Sequence, residues 1–154
     1  MPAMSDAPDD TAMARMLGRV ESVAVVGASP DPSRTSHRIA EWLMENTPYE
    51  VYLVNPFGGD ADIQGHGFYP DLASLPLVPD LVDVFRRPEE VPPVADAAIA
   101  VGARALWLQL GITHDAAMVK AHQDGLAVVQ NRCIKVEYRR LRDRIEVARA
   151  VRGT

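Results

Sequence analysis

The chain has 154 residues, enough for one domain with a complete core and too few for two of ordinary size. Hydrophobic residues make up 47% and charged residues 24%, the balance of a globular protein, and a formal net charge of −5 argues against a nucleic-acid footprint. A single cysteine, Cys133, excludes an internal disulfide framework, and no apolar run reaches the length of a membrane span, so the expectation is a cytoplasmic protein with no membrane partner.

The opening residues are small, polar and acidic, without the basic and apolar blocks of a secretion signal. Residues 1–10 read as a disordered tail ahead of a single domain over 11–154. Asp10 or Thr11 caps a short helix through Leu17, because a side-chain oxygen there accepts from the orphan amides of the first turn. Glu21 to Ala28 is apolar nearly throughout, as expected of a strand covered on both faces. It runs straight into the small-residue turn Gly27-Ala28-Ser29-Pro30. Ser33-Arg34-Thr35-Ser36 then opens a helix, Ser36 to Glu45, with Ile39, Trp42 and Leu43 at helical spacing.

Glu50 to Asn55 is a second strand, stopped by Pro56. Phe57 to Phe68 carries Gly58, Gly59, Gly65 and Gly67 and reads as a long loop of the kind that more often serves function than accident. Asp71 to Leu75 forms a helical turn and Leu81 to Phe85 a third strand. Pro88 to Gly102 is a helix, with Pro92 and Pro93 tolerable only in its first turn. Arg104 to Leu110 is a fourth strand, His114 to Asp124 a helix stopped by Gly125, Leu126 to Gln130 a fifth strand, and Val136 to Val151 a closing helix rich in Arg. Strands alternating with helices of these lengths imply right-handed crossovers. The expected fold is α/β, a single Rossmann-like three-layer domain around a parallel sheet of about five strands, the first of them central.

Such sheets bind ligands outside the carboxyl ends of their strands. Those ends are Gly27-Ala28-Ser29, Asn55-Pro56, Phe85-Arg86-Arg87, Gln109-Leu110-Gly111 and Asn131-Arg132-Cys133. A strand that turns on a glycine into a helix start presents backbone amides to a phosphate. The turn has one glycine where the dinucleotide fingerprint has three, and Asn55 stands where an NAD domain places a ribose-reading carboxylate. Gly27 also suits tight strand–helix packing, and Phe85 suits either the core or a stacking platform. Arg86 and Arg87 are adjacent on an extended segment, so one of them faces solvent or pairs with Glu89 or Glu90. The four histidines lack metal-ligand spacing, and no nucleophile elbow, Walker lysine or acid–base pair is present. Cys133, near Arg132 and Arg139, is the remaining candidate nucleophile. The Arg-rich last helix reads as a solvated face balanced by Asp143 and Glu146.

Five segments resemble, in order, the small stand-alone CoA-binding proteins: Val25 to Pro32, Val54-Asn55-Pro56, Val82 to Pro88, Trp107 to Gly111, and Asn131-Arg132-Cys133. That family in turn looks like the N-terminal CoA-binding domain of the succinyl-CoA synthetase α subunit. The resemblance runs from Met16 to Leu141 and implies coenzyme A as ligand. Gly27, Ala28, Ser29 and Pro30 would contact its phosphates. Val84, Phe85 and Arg86 would flank the nucleotide, with Asn55, Pro56, Gln109 and Gly111 along the same rim. Arg34, Ser36 and Arg86 or Arg87 would meet the pyrophosphate and 3′-phosphate.

The resemblance further implies a non-catalytic module for CoA or an acyl-CoA, serving as carrier, sensor or partner of an acyl-CoA enzyme; separately, the apolar surface offered by Trp42, Trp107 and the last helix makes a homo-oligomer an expectation. Related synthetases need a phosphohistidine domain and an ATP-grasp module besides. The alternative is a small NAD(P)- or other nucleotide-binding enzyme on the same fold, and a third reading is a mixed disulfide between Cys133 and CoA. Two positions depart from the family pattern: Phe57 follows Asn55-Pro56 where a basic residue is common, and Ile134 follows Cys133 where proline is common.

Overall fold

The computed structural model describes residues 5–152; Met1 to Met4, the start of the expected tail, lie outside them. Ser5 to Asp10 belong to the domain, correcting the expected tail boundary. The Asp9 carboxylate accepts from the Ala12 amide and caps α1 (Asp10–Arg19). Asp6 binds at the end of the last strand, where its carbonyl accepts from the Gln130 amide at 2.7 Å and its carboxylate from the Gln130 side chain at 3.2 Å.

The remaining elements are β1 (Ser22–Val26), α2 (Thr35–Asn46), β2 (Glu50–Val54), β3 (Asp62–Ile63), β4 (His66–Tyr69), β5 (Leu81–Val84), α3 (Val91–Val101), β6 (Ala105–Leu108), α4 (Asp115–Gln123), β7 (Ala127–Val129) and α5 (Ile134–Arg152). They form one seven-stranded sheet in the order β3-β4-β2-β1-β5-β6-β7, parallel except for β3 against β4. The fold is α/β and Rossmann-like, with β1 central.

Two of the strands come from the stretch expected to be a loop. Gln64 (φ 51°) and Gly65 (φ 82°) both adopt left-handed backbone, which a two-residue hairpin turn requires. The returning strand β4 then pairs with β2 through Leu53–Phe68 and Val54–Tyr69. Glycine-rich sequence concealed this hairpin, because the residues that permit its turn also read as irregular chain.

The two sheet faces carry separate cores. Val23, Val25, Leu81 and Trp107 pack with Leu17 of α1, Ile39 and Leu43 of α2, and Tyr138 and Ile145 of α5. On the other face Ala24, Val26, Val82, Leu106 and Leu108 meet Val91 and Ala95 of α3 and Met118 of α4. The helix expected from Pro88 begins as a separate 3₁₀ turn, Pro88–Glu90. Pro92 and Pro93 therefore occupy the first turn of α3, where a missing amide proton costs no helical hydrogen bond.

One residue breaks the apolar pattern. Asp83 in β5 lies in register with Val25 and Trp107, is fully buried, and has no hydrogen-bond partner for either carboxylate oxygen. Burial pushes its carboxyl well above the ordinary range.

Four arginines of α5, Arg140, Arg144, Arg149 and Arg152, reach α1 or its C-terminal end, so this helix is more than the solvated face expected. Arg140 reaches both Asp10 oxygens, at 2.8 and 2.9 Å, and Glu137 at 2.6 Å; Arg149 donates to the Val20 carbonyl at 2.7 Å. The helices approach closely at Gly18, where a Cβ would lie 2.9 Å from that of Ala148 and 3.1 Å from the Ile145 carbonyl oxygen. Gly18→Val is therefore expected to cost roughly 2 kcal/mol by overpacking, outweighing the gain of removing a glycine from the last turn of α1. Urea unfolding checks this, and an unchanged midpoint would contradict the close crossing. No helix among the described residues is long and apolar enough to cross a membrane.

Candidate functional site

The site begins where β1 ends. Gly27 takes φ 88°, and a Cβ there would lie 2.4 Å from the carbonyl oxygen of Phe85, so only glycine lets the chain turn past the end of β5. Its amide donates to the Val54 carbonyl at 2.8 Å, which ties the turn to β2 as well. Ala28 is buried beneath the turn, and its carbonyl accepts from the Asn55 side chain at 2.8 Å. The other end of that carboxamide accepts from the Phe57 amide at 2.9 Å. Asn55 is thus a clamp between the turns after β1 and β2.

The loop beyond is braced by its own short side chains. The Ser29 amide donates to Ser36 Oγ at 3.1 Å, and the Asp31 carboxylate accepts from the Ser33 amide and hydroxyl at 2.9 and 2.8 Å. Those bonds from Ser33 hold the Asp31 carboxyl below its ordinary range. The buried His37 ring supports the same loop from below: Nδ1 lies 2.9 Å from the Ser29 carbonyl oxygen, and Nε2 lies 3.4 Å from Glu41. A carbonyl only accepts, so Nδ1 carries a proton.

Arg34 is the N-cap of α2 and provides no side-chain cap, leaving the first amides of a twelve-residue helix without one. These amides carry the positive end of the helix dipole. Gly27, Ser29, Ser33, Arg34, Thr35, Ser36, Asn55, Phe85 and Arg86 enclose an open cleft of about 640 Å³ here. The neighbouring arginines divide as their geometry requires. Arg87 pairs with Glu89 and Glu90, whereas Arg86 makes no ion pair among the described residues. Arg86 also borders a smaller apolar slot of about 190 Å³, lined by Pro56, Pro70, Leu72, Pro93, Val94 and Ala97 among others. A polar, cationic cleft and an apolar slot therefore meet at one guanidinium.

Of the residues singled out from the sequence, Gly27, Ser29, Arg34, Ser36, Asn55, Phe85 and Arg86 line the cleft, and Pro56 lines the slot. Pro30 is exposed outside the lining, and Ala28 and Val84 are buried, leaving only backbone to offer. The structure places Gln109 and Gly111 apart, beyond β5. The Gln109 side chain accepts from the Ile134 amide at 3.0 Å and caps α5, while the Gly111 amide donates to Asn131 at 2.8 Å. Cys133 is half-buried against the first core and is not in the lining; Arg132 beside it lies near Asp6 and Glu137 instead.

Ser33 and Thr35 were read as part of the helix-opening run Ser33 to Ser36 without being named as site residues, and His37 was missed. Nothing in the spacing marks His37, whose partner is a backbone oxygen eight residues away. Among the described residues no group of three or more His, Cys, Asp or Glu side chains is placed to hold a metal.

The family model for the CoA binding domain matches residues 21–139, a span that contains the cleft, the slot and every strand. The chain belongs to the CoA-binding domain family. Within reach of it by sequence is the uncharacterized protein YneT of Bacillus subtilis strain 168, 33% identical over 131 residues, which cover 85% of this chain and 95% of the relative. Among solved structures, a hypothetical protein from Pyrococcus horikoshii OT3 superposes with a TM-score of 0.81 at 33% identity, covering 92% of this chain and 99% of that one. The apo form of an acetyl-coenzyme A synthetase 1 from Ca. Korarchaeum cryptofilum matches at TM-score 0.63 and 25% identity, over 72% of this chain but 26% of the synthetase. This CoA-binding domain is thus similar both to small proteins of its own length and to one portion of a larger chain.

Proposed function

We propose that this chain binds coenzyme A or an acyl-CoA in the cleft after β1 and catalyses no reaction on it. The observation that carries the reading is the junction at Arg86. An adenine nucleotide presents anionic phosphates beside a flat, apolar base, and here a cationic cleft adjoins an apolar slot. The phosphates would take the uncapped amides of α2, the Ser29 and Ser36 hydroxyls, and the guanidinium groups of Arg34 and Arg86. The base would lie along Pro56, Pro93 and Val94. Gly27 itself lines the cleft without a side chain, so its backbone is open to a phosphate there.

The cleft lining contains no carboxylate, imidazole or thiol, and Asp71 at the border of the slot is engaged by the Ser74 amide and hydroxyl, which favours retention of the ligand over acid–base or nucleophilic chemistry. A carrier, a sensor or a partner to a separate acyl-CoA enzyme fits that chemistry. The NAD(P) reading lacks its usual ribose contact, because Asn55 stands where a carboxylate would chelate the diol, and one donor and one acceptor position of its carboxamide are already engaged.

Titration calorimetry with CoA tests the proposal, with NAD⁺ and dephospho-CoA as controls. CoA is expected to bind more tightly than either. Arg86→Ala is expected to weaken CoA roughly tenfold to a hundredfold through loss of charged hydrogen bonds. An Arg86→Ala chain that keeps full affinity would remove the cleft from consideration, and no binding of CoA at all would overturn the proposed function.

A further inference from the structure

We propose that Phe57 is a further ligand-binding residue of this cleft, its ring closing over the base of the bound nucleotide so that base stacking supplies the contact at this corner of the site. The inference rests on the coenzyme reading above. Phe57 is 87% exposed, the most exposed large apolar side chain among the described residues. It occupies the third position of the turn Asn55–Gly58, closed by the Gly58 amide donating to the Asn55 carbonyl at 3.1 Å.

The backbone that presents it is held firmly. The Phe57 amide is bound by Asn55 Oδ1, and the same carboxamide holds the Ala28 carbonyl of the turn after β1. At Gly58 the chain lies so close to Phe68 that a Cβ would come within 2.4 Å of its side chain. A fixed turn leaves the ring only its own side-chain torsions. On its N-terminal side stand the two residues that wall the site: Asn55 lines the polar cleft and Pro56 the apolar slot.

A phenyl ring left in water gains by covering an apolar surface, and a purine face is such a surface. Stacking tolerates any base and offers nothing to a phosphate, so the anionic contacts fall to Arg34, Arg86 and the α2 amides. The slot itself contains no aromatic side chain.

The test is calorimetry of the full chain, Phe57→Ala and Phe57→Trp with CoA and with 3′,5′-ADP, which retains the base and phosphates but lacks pantetheine. Phe57→Ala is expected to weaken both ligands by the same factor, about tenfold, and Phe57→Trp to restore them. Because the ring is exposed, the thermal midpoints of the variants should match that of the unaltered chain. Equal affinity of Phe57→Ala and the unaltered chain for CoA overturns the proposal while leaving the coenzyme reading intact. So does a loss confined to CoA, which would place the ring on the pantetheine. Failure of the unaltered chain to bind either ligand overturns the coenzyme reading and this proposal together.

Discussion

Replacing Gly27 by alanine is expected to destabilise the chain by about 3 kcal/mol and to weaken CoA binding by roughly a hundredfold or more. Two effects combine. The backbone at φ 88° disfavours any L side chain, and the added methyl would lie 2.4 Å from the Phe85 carbonyl oxygen and 3.0 Å from its carbon. The atoms in the way are backbone at the end of β5, so no rotamer change relieves the contact. Either the turn after β1 or the end of β5 must move, and both walls of the cleft are built on them.

Gly59→Ala supplies the control. Gly59 is also left-handed, at φ 57°, but nothing lies within 4 Å of the Cβ position. Its cost should be only the conformational part, about 1 kcal/mol, with ligand affinity retained. Urea unfolding together with calorimetry separates the two. Equal losses at both positions would show that the approach of Gly27 to β5 is not what limits the site.

The second large effect is expected at Asp83, and it depends on pH. An unfolded aspartate titrates near 4, whereas burial without any hydrogen bond raises the folded value well above that. A carboxyl with a raised folded pKa binds its proton more tightly when folded. Its stabilising contribution is therefore complete below about pH 4 and is lost as the pH climbs towards the folded pKa. The chain should lose stability across this window, since ionising Asp83 in place sets an unpaired charge between Val25 and Trp107.

Asp83→Asn has the same shape and cannot ionise. Near pH 4 it should unfold close to the unaltered chain, since both then bury a neutral polar group. By pH 8.5 it should be more stable by about 2 kcal/mol, or roughly 6 °C in Tm. Thermal melts from pH 4 to 9 decide the matter. Parallel curves for the two proteins would mean that the carboxylate finds a partner or solvent on ionising.

The order of strands and helices was legible because local chemistry dictates it. Strands buried on both faces read as unbroken apolar runs such as Val23 to Val26, helices show Ile39 and Leu43 at their spacing, and Gly102 and Gly125 mark the stops. The location of the candidate cleft followed from the same order, since a parallel sheet opens clefts at the carboxyl ends of its strands and Gly27 stands at the central one. Those properties lie within a few consecutive residues, and the sequence by itself determines them.

What each polar residue does was settled only by tertiary structure. Asn55 became a clamp through Ala28, 27 residues away, and Gln109 a helix cap through Ile134, 25 residues away. Arg86 was distinguished from Arg87 by which of them could reach Glu89 and Glu90. The β3–β4 hairpin needed the edge of β2 to pair with, and Asp10 became part of the domain through Arg140, 130 positions further along the chain. A side chain's hydrogen-bonding capacity is local, but its partner is chosen by whatever the fold brings within about 3 Å, and no short-range pattern records that choice.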